Sequence, residues 1–84
     1  MIIVIKYLAP CFKINYDYNG SVLTNKENID SWRSCSEQCT SVINCTVWVW
    51  NMNTKVCWMK TVTTGGYTHD GLVAGIRGCD VITG

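Results

Sequence analysis

Cysteine content is the feature that most constrains this chain. Six of its 84 residues are cysteines. A chain of this length forms one small hydrophobic core, which leaves little net stability once the entropy cost of folding is met. Six cysteines in such a chain are typical of up to three disulfide bonds, which persist in oxidising compartments. We therefore expect a single disulfide-stabilised domain of a secreted or extracellular protein.

Charge and hydropathy exclude several classes of function. Seven basic and six acidic side chains give a net charge of +1, and 15% of the residues are charged. A nucleic-acid-binding protein needs a basic surface that neutralises phosphates, so nucleic acid is not an expected partner. Hydrophobic residues make up 48% of the chain, which indicates either a dense core or an apolar surface that faces a partner.

The first ten residues are predicted to form an apolar N-terminal strand or arm. Ile2, Ile3, Val4 and Ile5 are all β-branched, which favours a strand. Lys6 interrupts the apolar run, so no secretory signal segment of about 7–15 apolar residues is visible. No run approaches the roughly 18–20 residues of a membrane span, and no such span is expected.

Two N-x-S/T patterns support the extracellular assignment. Asn19 and Asn44 each stand two residues before a serine or threonine, as N-linked glycan acceptors do. We predict both as glycosylation sites at the surface of the domain.

Alternating residues predict a small antiparallel sheet. In residues 11–18 every second side chain is apolar or aromatic, so one face of a half-buried strand should carry Phe12, Ile14, Tyr16 and Tyr18. Turn residues and β-branched runs predict further strands over residues 21–23, 45–51, 55–60 and 72–79. Residues 24–30 read as a polar loop, and the Thr- and Gly-rich residues 61–72 as a long loop.

One helix is predicted, from about Trp32 to Thr40. Ser31 is a suitable N-cap, with Asp30 as the alternative. Cys35 and Cys39 are four residues apart and share one helix face, which must look at the sheet for both thiols to find partners. The predicted class is α+β, with one helix packed on a small antiparallel sheet.

The cysteines have more than one possible chemistry. Spacing alone permits fifteen disulfide pairings. The predicted elements favour Cys39 with Cys45 and Cys35 with Cys57, which leaves Cys11 and Cys79. A four-cysteine zinc site is the alternative, but the two-residue spacing of zinc knuckles is absent, so we expect no metal.

The chain resembles the PAN/apple domain family over residues 11–79. The matching features are Cys35-x3-Cys39, Cys45-x2-Trp48-x-Trp50, Cys57-Trp58-Met59-Lys60, Asp17-Tyr18-x-Gly20 and the closing Gly75-Ile76-Arg77-Gly78-Cys79. The resemblance implies three nested disulfides, Cys11–Cys79, Cys35–Cys57 and Cys39–Cys45. Residues 1–10 and the tail 80–84 lie outside it.

No catalytic constellation is visible. His69 is the only histidine, it lies in the predicted Gly/Thr-rich loop, and no serine or free thiol pairs with it. The carboxylates are scattered, and no Gly-rich phosphate loop opens a helix. We expect neither an enzyme nor a bound cofactor.

The tryptophans distinguish the two faces of the predicted sheet. Trp48 and Trp50 share a face and are expected to pack under the helix. The opposite face should then carry Val47, Val49, Val56 and Trp58. An exposed apolar face of this kind marks a contact site; the alternative is that residues 1–8 or a long loop cover it.

Two functions remain in view. The resemblance implies an extracellular, non-catalytic recognition or adhesion module that binds protein or carbohydrate, and a sugar would contact Trp58, Tyr67, His69 and Asp70. The alternative is a self-assembling subunit of an extracellular fibre or coat, a homo-oligomer held by strand addition. Its contacts would come from Ile2, Ile3, Val4, Ile5, Val47, Val49, Val56 and Trp58.

Overall fold

A computed structural model describes residues 11–61 and 64–82. Five strands and two helices follow one another in the chain: β1 (Phe12–Tyr18), β2 (Ser21–Lys26), α1 (Trp32–Thr40), β3 (Val47–Asn51), β4 (Val56–Thr61), β5 (Gly66–Ile76) and α2 (Cys79–Ile82). The strands form a single sheet in the order β1-β5-β3-β4-β2, and every neighbouring pair is antiparallel. Helix α1 packs on one face of this sheet. The α+β prediction is confirmed.

Helix α1 has the predicted bounds because both of its ends are capped. The Ser31 hydroxyl oxygen accepts a hydrogen bond from the Ser34 amide at 3.1 Å, which satisfies one of the free N–H groups of the first turn. The Arg77 guanidinium binds the other end. It donates to the carbonyls of Cys39, Thr40, Val42 and Cys45 at 2.7–3.1 Å.

The main core lies between α1 and the sheet. Trp48, Trp50, Met59 and Val73 are all buried there. Each tryptophan has a partner for its indole N–H, since Trp48 donates to a backbone carbonyl at 2.9 Å and Trp50 to another at 2.8 Å. Gly75 faces Trp48 across the sheet, and a β-carbon at residue 75 would collide with the indole ring. The glycine is therefore required by the tryptophan.

Three disulfides hold this core together. They join Cys11 to Cys79, Cys35 to Cys57 and Cys39 to Cys45, each with a Cα–Cα distance of 5.4 Å. The nested pairing is confirmed. All six cysteines are bonded to one another, so the zinc alternative is wrong.

The predicted alternation of β1 is wrong at its centre. A β-bulge lies between Ile14 and Tyr16, and Asn15 has a positive φ of 58°. The extra residue shifts the face of every later side chain. Phe12 therefore stacks on Trp32 beside the helix, whereas Tyr16 packs with the opposite face of the sheet.

Two strands are longer than predicted. Strand β2 continues to Lys26 through residues read as a loop, and β5 begins at Gly66 inside the predicted loop 61–72. The many polar and glycine residues of these two segments are typical of loops, so the sequence alone did not indicate strands there. Long-range pairing overrides that local signal, because residues 66–68 bond to the end of β1 and residues 24–26 bond to β4.

The end of the described chain packs against α1. The Asp80 carboxylate accepts from the Ser36 hydroxyl at 2.6 Å, and Arg33 donates to the Asp80 carbonyl at 2.9 Å.

The expected boundaries at residues 10 and 79 stay predictions, and the proposed arm 1–10 lies outside the described residues. None of the helices described in residues 11–61 and 64–82 is long and apolar enough to span a membrane.

Candidate ligand-binding site

The face of the sheet opposite α1, which we call the outer face, is largely covered. Val47 and Val49 are 3% and 2% exposed, so the expectation of an open apolar face is wrong for both. Tyr16 and Tyr18 pack on a second cluster that contains Val49. The end of β1, which is paired with residues 66–68, therefore supplies part of the cover over Val49; the suggested cover by residues 1–8 lies outside the described residues. Val56 is half-buried.

A small pocket remains open on the outer face. Its volume is about 150 Å³, and it is lined by Asp17, Val22, Val49, Trp58, Lys60 and Leu72. Trp58 and the aliphatic side chains form an apolar wall. Asp17 and Lys60 give the pocket a charged end. An apolar surface with a few converging polar groups is the usual composition of a small-molecule site.

Asp17 is the centre of the polar end. Lys60 Nζ donates to one carboxylate oxygen at 2.9 Å, and the Tyr67 hydroxyl donates to the other at 2.9 Å. The Lys60 and Asp17 side chains are only 13% and 15% exposed. The ion pair is therefore largely shielded from water, which strengthens the attraction between the two charges. Both oxygens of Asp17 are thus used to position other groups.

Lys60 and Tyr67 keep capacity for a ligand. Lys60 Nζ also donates to the Tyr18 carbonyl at 2.9 Å, so hydrogen bonds to the described residues use two of the three donors of the ammonium group. The hydrogen bond to Asp17, and then the negative charge of that carboxylate, raise the pKa of Tyr67 above its usual 10.0. The raised pKa favours the protonated phenol, whose oxygen can still accept a hydrogen bond.

The structure brings together three of the four predicted sugar-binding residues. Trp58 lines the pocket, Tyr67 joins its polar end through Asp17, and the His69 ring lies 6.2 Å from the Tyr67 ring. Asp70 is exposed, and its carboxylate makes no hydrogen bond to any residue in the described ranges.

Sequence reasoning did not include Asp17 and Lys60 in the binding set. Lys60 could have been predicted, because strand alternation places it on the same face as Trp58. Asp17 was not, because its position depends on the pairing of the end of β1 with residues 66–68, which no local pattern signals. The pair is also 43 residues apart in sequence.

Both predicted glycosylation sites are exposed. Asn19 lies in the turn between β1 and β2, and Asn44 in the segment between α1 and β3. Their modification stays a prediction. In the part of the chain that the structure describes, no three histidine, cysteine, aspartate or glutamate side chains converge on a possible metal position.

Comparisons with known proteins agree with this architecture. The sequence model of the PAN domain matches residues 16–60. A microneme antigen of Sarcocystis muris is 35% identical over 52 residues, which are 62% of this chain and 22% of that protein. The chain thus spans about a fifth of the length of this curated relative.

Two solved structures share the fold. One contains the two N-terminal apple domains of Toxoplasma gondii microneme protein 4, with a TM-score of 0.71, 22% identity and coverage of 82% of this chain and 44% of that one. The other is the TgMIC4-A5/lacto-N-biose complex, with a TM-score of 0.69, 19% identity and coverage of 80% and 96%. Family match and fold together lead to one conclusion: this chain belongs to the PAN domain family.

Proposed function

We propose that this domain is a secreted, non-catalytic adhesion module that binds carbohydrate in the outer-face pocket. The observation that carries the proposal is the pairing of the Trp58 wall with the charged end formed by Asp17 and Lys60. The lacto-N-biose complex of one structural neighbour supports a sugar as the ligand. The microneme antigen among the relatives and the three disulfides support secretion.

The pocket has the two properties that sugar recognition requires. A pyranose ring has an apolar face of C–H groups, which the half-buried Trp58 ring can cover, as aromatic rings commonly do in binding sites. Its hydroxyl groups need donors and acceptors that are already oriented. Lys60 supplies a donor and Tyr67 an acceptor, and Asp17 holds both. Preorganisation of this kind lowers the entropy cost of binding.

The same geometry supports a binding role rather than catalysis. Asp17 is engaged on both oxygens by Lys60 and Tyr67, so it does not resemble a free general base. His69 is exposed, and its Nδ1 lies 3.1 Å from the Asp70 carbonyl. Non-catalytic binding is therefore the function that these residues favour.

A titration with lacto-N-biose, followed by calorimetry or NMR, tests the proposal. We expect saturable binding by the oxidised domain and a loss of at least about tenfold, or about 1.4 kcal/mol, in Lys60→Gln. Lys26→Gln is the matched control, because Lys26 is exposed at the end of β2, away from the pocket. No binding by the wild type, or equal affinities in both variants, would refute the proposal.

Self-assembly through strand addition receives no support. Both edge strands of the sheet, β1 and β2, contain a bulge, and bulges protect sheet edges from pairing with another chain. Val47 and Val49 are buried and cannot contact a second subunit. The suggested contacts of Ile2, Ile3, Val4 and Ile5 lie outside the described residues. A protein ligand and a homo-oligomer stay predictions.

A further inference from the structure

We propose that an N-linked glycan on Asn19 regulates the outer-face pocket by covering its charged end. This inference rests on the proposed function, because the pocket is the site that the attached glycan closes to an external sugar. A glycan on Asn44 has no such effect. The domain therefore carries one acceptor that controls binding and one that does not.

The turn that contains Asn19 brings the two edges of the sheet together. Strands β1 and β2 lie at opposite edges of the sheet, yet only Asn19 and Gly20 separate them in the chain. The edges of a flat five-stranded sheet lie about 19 Å apart, whereas the Cα atoms of Tyr18 and Ser21 are at most about 11 Å apart. The sheet is therefore curled, and its edges approach each other at this turn.

The pocket lies inside the curl, beside the turn. Each of the five strands contributes at least one lining residue. Asp17 and Val22, which come from the two edge strands, stand two and three positions from Asn19. The Cα atom of Asn19 is therefore within about 8 Å of that of Asp17 and within about 11 Å of that of Val22. This places Asn19 at the rim of the pocket, next to its charged end.

Hydrogen bonds on both sides of the Tyr18–Asn19 peptide hold the turn in place. The Asn19 amide donates to the Gly65 carbonyl at 2.8 Å. The Tyr18 carbonyl accepts from Lys60 Nζ at 2.9 Å, and Lys60 itself lines the pocket. A glycan on Asn19 is thus attached to a fixed point of the rim.

The acceptor pattern at this turn is open to modification. Asn19, Gly20 and Ser21 are all exposed. The oligosaccharide comes from a lipid pyrophosphate donor: the Asn19 amide nitrogen bonds to the anomeric carbon, the bond from that carbon to the pyrophosphate breaks, and the amide loses one proton. A glycan of several sugar rings is longer than the distance from Asn19 to the lining residues, so it extends over the charged end.

Asn44 starts from the other side of the sheet. It precedes Cys45, which is buried and bonded to Cys39 of α1. The carbonyls of Val42 and Cys45 accept from the Arg77 guanidinium at 2.9 and 2.8 Å, so this segment is attached to the end of the helix. A glycan on Asn44 has the sheet between it and the pocket, which makes Asn44 the matched control.

Forms of the domain with a single glycan test the inference. The 84-residue chain is secreted from a eukaryotic host, and mass spectrometry measures the occupancy of each acceptor. Thr46→Ala leaves only the Asn19 acceptor and Ser21→Ala only the Asn44 acceptor, and both replaced residues are exposed. Each variant is also produced without glycans, and lacto-N-biose is titrated into all four preparations.

We expect the glycan on Asn19 to weaken lacto-N-biose binding at least about tenfold relative to the same variant without glycans. The glycan on Asn44 should leave the affinity unchanged. Equal affinities with and without the Asn19 glycan, an equal loss from the Asn44 glycan, or an Asn19 that stays unmodified would each overturn the regulation and leave the pocket standing. If the preparations without glycans do not bind lacto-N-biose, the proposed function itself fails, and the regulation fails with it.

Discussion

The two faces of the sheet are stabilised in different ways. On the helix face, three disulfides and two tryptophans form a core whose side chains are mostly buried. The indole N–H group of each tryptophan donates to a backbone carbonyl. On the outer face, the paired ends of β1 and β5 are held by contacts among Lys60, Asp17 and Tyr67, and a pocket beside them is open.

This difference separates the residues that stabilise the fold from those proposed to bind a ligand. Covalent bonds on one face let a chain of this size tolerate a partly shielded ion pair and a half-exposed aromatic surface on the other. Changes on the helix face should therefore reduce stability, whereas changes at the outer-face pocket should reduce affinity and, at the Asp17–Lys60 ion pair, stability as well.

Removal of the Cys11–Cys79 disulfide should have the largest effect on the free energy of unfolding. Cys11 and Cys79 are 68 residues apart, so replacing both with alanine should lower the free energy of unfolding by about 4 kcal/mol in the chain-entropy account. Cys39 and Cys45, only 6 residues apart, are the matched pair, for which about 2 kcal/mol is expected. Urea unfolding of both variants measures the difference, and equal losses would contradict the account.

Two tryptophans compare the faces directly. Trp48→Leu empties part of the buried core and should cost roughly 3 kcal/mol, since Trp48 is 0% exposed. Trp58→Leu, in a half-buried position, should cost only about 1 kcal/mol but abolish lacto-N-biose binding. Unfolding curves and titrations on both variants test this contrast. A Trp58→Leu domain that binds normally would remove Trp58 from the site.

Asp17→Asn should affect stability and binding together. It removes the charge that accepts from Lys60 and Tyr67, and loss of such hydrogen bonds typically costs about 2 kcal/mol. Asp70→Asn removes the same charge from an exposed position and should change stability by less than about 0.5 kcal/mol. If thermal unfolding showed the two variants to be equally stable, Asp17 would not be the centre of the polar end.

The smallest expected effect is a shift in tyrosine titration. Because Asp17 raises the pKa of Tyr67, the folded state favours the neutral phenol. This contribution to stability is fully present below the ordinary pKa near 10.0 and is lost as the pH rises through the raised folded-state value. NMR titration of the Tyr67 ring should show the raised pKa, and Asp17→Asn should lower it.

The helix face could be predicted from the sequence, and the outer face only in part. The helix bounds and the disulfide partners of Cys35 and Cys39 follow from a local cap, a four-residue spacing and a family pattern. Trp58 and Tyr67 could be identified as aromatic candidates. Their arrangement could not, because it depends on the bulge at Asn15.

Strand β5 shows why the sequence alone did not predict the rest of the outer face. Gly66 to Asp70 have the composition of a loop, and residues 66–68 are held in a strand by pairing with residues more than 45 positions earlier. Local propensity does not include such pairing energy. The same long-range contact brings Asp17 to Tyr67, so the polar end of the pocket appears only once the sheet is assembled.

The most direct test of the central claim is a map of amide and indole NMR shifts during a lacto-N-biose titration of the oxidised domain. The account predicts changes at Trp58, Lys60 and Tyr67 on the outer face, with the Trp48 indole and α1 unchanged. Changes confined to α1 and the helix face, or no changes at all, would contradict it.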